Sequence, residues 1–473
     1  MDRFIGRTQE LGLLSRLLTR VAEGGRAGRP GRAILIRGRR RVGKSRLVEE
    51  FVDQSHVPYV FFTASGQPTI EADLRLFAEA VRESTLPDTE LFRDQAPGTW
   101  DAALRLLAQS LPGDQPSVVV IDEMPYLIST DAGFEGTLQK IFDRELSRKP
   151  TLLICVGSDL AMMEALNEYG RPFHQRATEL VIPPLSPADA AEMLALPAAE
   201  AFDAYLVSGG LPLILYEWPS GETALDYVAD AVTDPLSALL VSGERALAAE
   251  FPPDSQARLV LGAIGSGERT YTRIQQATDG MAQVSLNRAL QLLTAKRIVQ
   301  ASTPLSPRPS RETRYSIADP HLRFWLAFPA QHMPEIERGR GDLVMRRIRA
   351  SWTWWRGTAI EPVIRESLRR ISDQLPGETQ AIGGYWTRTN DPEIDLVGAD
   401  AEPIARRISF VGSIKWRENR PFGERDLAEL IAHRVKMPGA DESTPMVAVA
   451  RSGVAVNSPT PIGPDDLLAA WRR

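Results

Sequence analysis

Gly38-Arg39-Arg40-Arg41-Val42-Gly43-Lys44-Ser45 is the stretch from which the fold can be read. It has the form G-x-x-x-x-G-K-[ST], a glycine loop whose backbone N–H groups can curl around a phosphate. Its surroundings agree. Ala33-Ile34-Leu35-Ile36, directly before it, is a short apolar run that predicts a buried strand, and residues 46–53 have helical spacing. In a strand, glycine loop, helix unit the helix N-terminus adds positive potential beneath a bound anion. On this reading Gly38, Arg41, Val42, Gly43, Lys44, Ser45 and Arg46 form a nucleotide-binding segment for ATP. Lys44 reaches the β- and γ-phosphates and Ser45 ligates Mg²⁺. The plain alternative is a Gly/Arg loop with no ligand.

Outward from the loop, three more apolar runs read as strands. Tyr59-Val60-Phe61-Phe62 is one, residues 117–121 another, and residues 152–156 the third. Apolar strands spaced by helical segments predict a parallel sheet with helices on both faces. Ligands in such sheets bind at the C-terminal strand ends. Val118-Val119-Val120-Ile121 delivers Asp122 and Glu123 to such an end. Asp122 is expected to hold Mg²⁺ through water, and Glu123 is the candidate base for the attacking water. An acid favoured by a helix dipole is the simpler account of Glu123. Ser158, at the tip of the 152–156 strand, is a candidate contact to the γ-phosphate or the water, or a helix cap.

The chain has 473 residues, 43% hydrophobic and 25% charged, with a formal net charge of −6. That length gives a prior of about three domains. The composition is that of a globular protein rather than a disordered one. The lone Cys155 excludes an intrachain disulfide and any cysteine-based metal cluster. Met1-Asp2-Arg3-Phe4-Ile5-Gly6-Arg7 is charged and predicts no signal peptide. No run of about 18 apolar residues predicts a membrane span. A cytoplasmic location without membrane partners is therefore expected. Of 55 basic residues only six are Lys, at 44, 140, 149, 296, 415 and 436. A GC-rich coding sequence accounts for the bias, yet Lys stands at 44 and 415, where Arg cannot replace a compact titratable amine.

Residues 11–22 predict an amphipathic helix and residues 23–32 a loop. From 184 to 250 the pattern is helical, with Ser186-Pro187 as a helix start. Residues 257–264, 271–278 and 284–296 read as three helices, and 297–300 and 314–317 as two strands, the plan of a winged helix-turn-helix. Nine Lys/Arg against three acids lie between Arg258 and Arg314, and nine Arg between Arg338 and Arg370. That is the profile of a duplex DNA binder, with helix 284–296 exposing Gln283, Ser285, Asn287, Arg288 and Gln291. An intramolecular lid is the alternative role. The aromatic cluster Phe324, Trp325 and Phe328 is expected to dock this unit onto a neighbour.

Further on, Glu361 on a helix, Asp395 at a strand end and Lys415 on the next strand form the skeleton of a PD-(D/E)xK nuclease. That chemistry uses carboxylates on Mg²⁺ and a Lys beside the water. Ser413 stands where a second acid belongs, and a hydroxyl is a poor Mg²⁺ ligand. Glu393 shares a strand face with Asp395 and offers partial rescue. A degenerate nuclease-like module is expected over an active one, with an unrelated fold as the remaining alternative.

Several motifs together resemble one family. Phe4-Ile5-Gly6-Arg7 with Glu10-Leu11, the glycine loop, Val120-Ile121-Asp122-Glu123, Gly157-Ser158, Gly170-Arg171 and Gly209-Gly210-Leu211-Pro212 occur in the order seen in the archaeal-type ATPases. These are AAA+-related P-loop NTPases of the STAND kind. Ala318-Asp319-Pro320 with Arg323-Phe324-Trp325 resembles the same family's winged-helix segment. Glu393-Ile394-Asp395-Leu396-Val397 and Lys415-Trp416 resemble its DUF234-type domain. The resemblance implies that Arg7 lies against the base, that Pro212 packs on adenine, and that Arg171 senses the γ-phosphate or acts as a finger. A surface salt bridge is the plainer role for Arg171. A finger acting in trans needs a homo-oligomer; in cis a monomer suffices.

The expected architecture is thus an α/β P-loop NTPase core over 1–183 and a helical lid over 184–250. A winged helix-turn-helix over 251–330 and a small restriction-endonuclease-like α/β domain of the DUF234 type over 331–473 complete it. The expected function is that of an ATP hydrolase working as a nucleotide-dependent switch in nucleic-acid work, with ATP/ADP, DNA or a protein as partners. The alternative is an ATP-licensed Mg²⁺-dependent nuclease or DNA-binding regulator.

Overall fold

The computed structural model describes residues 4–472, apart from 25–28, 68, 95–96, 167, 175, 253, 266 and 268. The loop expected at 23–32 falls partly on residues 25–28, which lie outside the described residues. The chain divides into two compact units, Met1–Pro184 and Leu185–Arg473.

Five strands form the sheet of the first unit: β1 (Arg32–Arg37), β2 (Tyr59–Thr63), β3 (Ser117–Asp122), β4 (Thr151–Gly157) and β5 (Ala177–Val181). Their order is β2-β3-β4-β1-β5 and every pairing is parallel. All residues of β3 and β4 are buried, as they must be where helices cover both faces. The order places β4 between the strand that carries the glycine loop and the strand that carries Asp122. β5 is an edge strand with no fully buried residue, and its residues make no apolar run.

The flanking helices follow the same logic. Leu47, Val48, Phe51 and Val52 form the buried face of the helix Lys44–Ser55. Thr69 and Thr99 cap the helices Ile70–Arg82 and Trp100–Ser110. Phe62, Phe77, Trp100 and Phe134 meet edge to face in the core they cover.

The second unit opens at Ser186, whose hydroxyl and Asp189 form a capping box on the helix Pro187–Leu194. Four more helices follow, Ala198–Ser208, Pro212–Glu217, Ala224–Ala231 and Ala238–Glu250. Next come the helices Gln256–Ile264, Tyr271–Ala277 and Gln283–Ala295 with three short strands, β6 (Arg269–Thr270), β7 (Val299–Ser302) and β8 (Arg314–Ile317), in the antiparallel order β6-β8-β7. The three expected helices and two strands are in place, and β6 adds a third strand.

Helices Pro320–Ala327, Pro329–Glu337, Gly341–Ala359 and Glu361–Arg370 lead to the last sheet. It contains β9 (Ala381–Trp386), β10 (Glu393–Ala399), β11 (Ile408–Lys415), β12 (Met446–Ala450) and β13 (Thr460–Ile462) in the order β13-β12-β11-β10-β9. β9, β10 and β11 run antiparallel; β11, β12 and β13 run parallel. The helix Glu424–Lys436 makes the crossover from β11 to β12.

One apolar core spans residues from Leu185 to Ala470. It is the physical reason that the modules expected at 184–250, 251–330 and 331–473 share a unit. Beside it, in the core of the three-helix unit, a glycine permits a close approach. A Cβ on Gly243 would stand 2.2 Å from the Trp325 ring, so the aromatic cluster at 324–328 packs directly on a helix backbone. No helix among the described residues is long and apolar enough to cross a membrane.

Candidate functional site

The glycine loop runs between the end of β1 and the helix Lys44–Ser55. Gly43 (φ 85°) and Arg41 (φ 67°) are in the left-handed region, the first at no steric cost. Gly38 has no room for a side chain, since a Cβ would come within 2.6 Å of the Ile182 carbonyl. Lys44 is buried, and its Nζ donates to the carbonyls of Gly38 and Arg39, each at 3.0 Å. Burial pushes its ammonium below the usual lysine range, and Glu123 and Asp122 oppose that shift.

Ser45 Oγ donates to Asp122 Oδ2 at 2.7 Å, and Oδ1 accepts from the Glu123 N–H at 2.9 Å. Burial raises the Asp122 carboxyl above its usual range, against the Ser45 hydrogen bond. A hydroxyl and a carboxylate, both hard oxygen donors, thus meet at the helix start, which suits Mg²⁺. Among the described residues no three acid, His or Cys side chains converge as a metal site. A divalent ion here would complete its shell with phosphate and water oxygens.

Glu123 follows Asp122 in the left-handed region, φ 53° and ψ 41°, at the start of the helix Met124–Thr130. A non-glycine residue held there stores strain of about 1–3 kcal/mol. The turn sends its carboxylate across the tip of β4, where Oε2 accepts from Ser158 Oγ at 2.9 Å and Ser158 N at 3.4 Å. Lys44, Ser45, Asp122, Glu123 and Ser158 are thus brought together from three adjacent strand ends.

Arg7 is buried, with φ 62°. Its Nη2 donates to the Val42 carbonyl at 2.9 Å and to the Pro183 carbonyl at 2.6 Å, and its Nη1 pairs with Glu10 at 3.2 Å. Its guanidinium therefore braces the glycine loop from behind. Arg46 is half-exposed, and its guanidinium faces Glu49 and Glu50 on its own helix. Arg171 pairs with Glu135 at 2.5 Å. Glu135 is buried, and among the described residues its other oxygen has no hydrogen-bond partner. Burial raises its carboxyl. Nothing in the sequence flags Glu135, which sits on the apolar face of the helix Phe134–Arg144. Pro212 belongs to the second unit, where it opens the helix Pro212–Glu217 after two left-handed glycines, 209 and 210.

The last sheet carries a cleft of about 340 Å³ lined by Glu393, Asp395, Ser413, Lys415, Glu429 and His433, among others. Asp395 Oδ2 accepts from Ser413 Oγ at 3.0 Å and from Ile414 N at 2.8 Å. Lys415 lies 3.6 Å from Glu429. Glu361 does not line the cleft; its carboxylate takes Arg365 Nη2 at 2.8 Å, one helical turn on. Glu429 and His433 are additions to the sequence reading. Their i, i+4 spacing on an amphipathic helix was the available signal.

Comparison with known proteins gives matches to two regions of the chain. Residues 28–160 match the family described as AAA domain. Residues 325–428 match DUF234, described as archaea bacterial proteins of unknown function. No curated protein matches the chain. Among solved structures, the Walker-type ATPase of Pyrococcus abyssi is similar at 20% identity, covering 68% of this chain and 96% of that one, with a TM-score of 0.47. The Aeropyrum pernix ORC2 protein, in ADPNP–ADP complexes, is 16% identical over 74% of this chain and 98% of that one, TM-score 0.45. The Aeropyrum pernix ORC1 protein in complex with DNA is 18% identical over 72% and 94%, TM-score 0.35. The chain carries an AAA-type P-loop ATPase domain followed by a DUF234 domain.

Proposed function

We propose that this protein binds and hydrolyses ATP with Mg²⁺ and acts as a nucleotide-dependent switch for its second unit, in nucleic-acid work. The observation that carries this reading is the convergence of Lys44, the Ser45–Asp122 pair and the Glu123–Ser158 pair at three strand ends. Lys44 and the loop N–H groups neutralise the phosphates. Ser45 and Asp122 would hold Mg²⁺, which supplies charge neutralisation at the transferred phosphoryl group. Glu123 accepts the proton of the attacking water, and Ser158 aims it. Arg171, Arg7 and Pro212 keep the roles that the STAND resemblance implies, with Glu135 as the holder of Arg171. ATP turnover with Mg²⁺ is expected in the wild type and at background in Lys44→Ala; equal rates reject the proposal.

DNA binding by the 256–317 unit, read as a winged helix, is supported by the solvent face of the helix Gln283–Ala295. Gln283, Asn287, Arg288 and Gln291 are all exposed there, while Ser285 is half-buried. Anisotropy titration with duplex DNA across a salt series tests it, and Arg288→Gln is expected to weaken binding. The cleft is read as a degenerate nuclease-like site, because a Ser413 hydroxyl occupies the Asp395 oxygen that a second acid would share with a metal. No cleavage of duplex or single-stranded DNA with Mg²⁺ or Mn²⁺ is expected; cleavage abolished by Lys415→Ala would overturn this.

A further inference from the structure

The loop 303–313 between β7 and β8 is the wing of the three-helix unit, and it is fastened at both ends to the last sheet. At its first end Leu305 is buried, 2% exposed, in the core with Ala381, Ile394 and Val397. Its N–H donates to the Gly384 carbonyl at 2.9 Å, which extends the edge of β9. Ser306 forms a parallel bridge to Ile404, and its carbonyl accepts from Ala405 N at 3.1 Å. Pro307 stands over Gly439, where a Cβ would come within 2.6 Å of its ring. At its second end Arg314 Nη1 pairs with Glu393 at 2.7 Å, and Nη2 donates to Asn390 Oδ1 at 2.9 Å. The guanidinium lies 4.5 Å from the Trp386 ring centre, and the indole N–H donates to the Glu312 carbonyl at 3.1 Å.

Between these two grips the tip is solvent-exposed. It reads Arg308-Pro309-Ser310-Arg311, and all four residues are exposed. Among the described residues no ion pair engages Arg308 or Arg311, Glu312 next to them included, and the four tip residues hold no large apolar side chain. Short-range hydrogen bonds from Arg308 N to Ser306 Oγ, Glu312 N to Ser310 Oγ and Thr313 N to the Arg311 carbonyl turn the tip, and the clamp at both ends holds it against the last sheet. Guanidiniums suit backbone phosphates, and on a pre-shaped tip the ordering entropy is spent on folding rather than on binding.

We propose that Arg308 and Arg311 form a backbone-phosphate contact for duplex DNA and that the C-terminal domain, through Arg314, is the brace that holds it in shape. This rests on the DNA-binding reading of the 256–317 unit and goes beyond it, by assigning the brace and the two contacts. The wing and the cleft rim then share one latch, since Arg314 grips Glu393 and Asn390.

The test uses the full chain and a fluorescent duplex in an anisotropy titration across a salt series. For Arg308→Gln with Arg311→Gln, the slope of log K against log salt should fall by about 1.8, the value for two phosphates. Arg314→Gln keeps both tip charges. It should keep the slope but weaken binding about tenfold if the tip is left in shape one-tenth of the time. Hydrogen exchange over 307–312 should rise with it. A Ser306→Cys, Ile404→Cys staple in the Arg314→Gln background should restore affinity under oxidising conditions and lose it on reduction; Cys155 is buried and does not compete. An unchanged slope in the double variant overturns the phosphate contact, and a staple that restores nothing overturns the brace. If Arg288→Gln weakens binding while the tip variants do not, the DNA reading stands and this proposal falls. If no form binds the duplex, both fall. Equal binding to anionic vesicles, lost in the same double variant, would reassign the tip to lipid phosphates.

Discussion

The Ser158 hydroxyl and the Glu123 carboxylate meet at 2.9 Å, with the Ser158 N–H aimed at the same oxygen from 3.4 Å. The contact joins the tips of two neighbouring strands, β3 and β4. It fixes where the second carboxylate oxygen points, and under the proposed hydrolysis that oxygen would accept the proton of the attacking water. A residue that aims a base, without touching substrate, should affect turnover more than affinity.

Ser158→Ala removes the hydroxyl and keeps the weaker backbone contact. The turnover number for ATP should fall roughly tenfold to a hundredfold, part of the ~10²–10⁴ a general base supplies. KM should change little, and Ser158→Thr should retain most of the rate. Steady-state kinetics on the three proteins checks this; a raised KM with unchanged turnover would place Ser158 on the nucleotide instead.

Much of this site was legible in the sequence, because each of its residues is fixed by a local rule. A glycine loop must follow its strand, and Asp122-Glu123 and Gly157-Ser158 stand where apolar runs end. What was not legible depends on distant partners. β5 is an edge strand with no apolar run to announce it. Glu135 became the holder of Arg171 only through a fold that brings residues 36 apart together. The wing was foreseen as a hairpin, but its capture by the last sheet depends on Trp386, Asn390 and Glu393, more than 70 residues downstream. Glu361 was expected at a metal; an i, i+4 arginine on its own helix takes the carboxylate.

His321 gives the second unit a pH limit. It is 2% exposed, its Nδ1 lies 2.8 Å from the Val207 carbonyl, and its Nε2 has no hydrogen-bond partner among the described residues. A carbonyl only accepts, so Nδ1 carries the proton in the neutral ring. Burial holds the imidazole below the usual histidine range, with Asp319 opposing. The folded state therefore refuses a proton that the unfolded chain takes near pH 6.5. The stability is complete above about pH 6.5 and is lost as pH falls below it. Urea midpoints measured at pH 7.5, 6.5 and 5.5 should drop more steeply in the wild type than in His321→Gln; parallel curves would refute the assignment.

Asp203 anchors the buried charges of the second unit. It meets Arg356 Nη1 at 2.8 Å, Arg451 Nη2 at 3.1 Å and the Trp416 indole N–H at 3.1 Å. Arg356 is fully buried, and Glu418, half-exposed, is its other carboxylate. Asp203→Asn strands that guanidinium and should cost about 3 kcal/mol, the low end for a broken buried pair because Glu418 remains. Replacing both partners, Asp203→Leu with Arg356→Met, should cost less than the single change. Denaturation of the three proteins decides it, and a double variant worse than the single one would show that the pair stabilises in its own right.

Gly210 separates two demands that one glycine can meet. Its φ is 69°, and a Cβ there would lie 2.0 Å from the Leu185 carbonyl, whose own N–H donates to the Gly210 carbonyl at 2.9 Å. Gly221 has the same backbone demand, φ 82°, with open space around it. Gly221→Ala should therefore cost only the left-handed penalty, about 1–2 kcal/mol. Gly210→Ala pays that and must also displace backbone at the start of the second unit. The turn preceding Pro212 would shift with it, so thermal stability should fall further than in Gly221→Ala. Equal losses in the two variants would mean that Gly210 is present for its φ alone, and that the close approach of Leu185 to this turn is incidental.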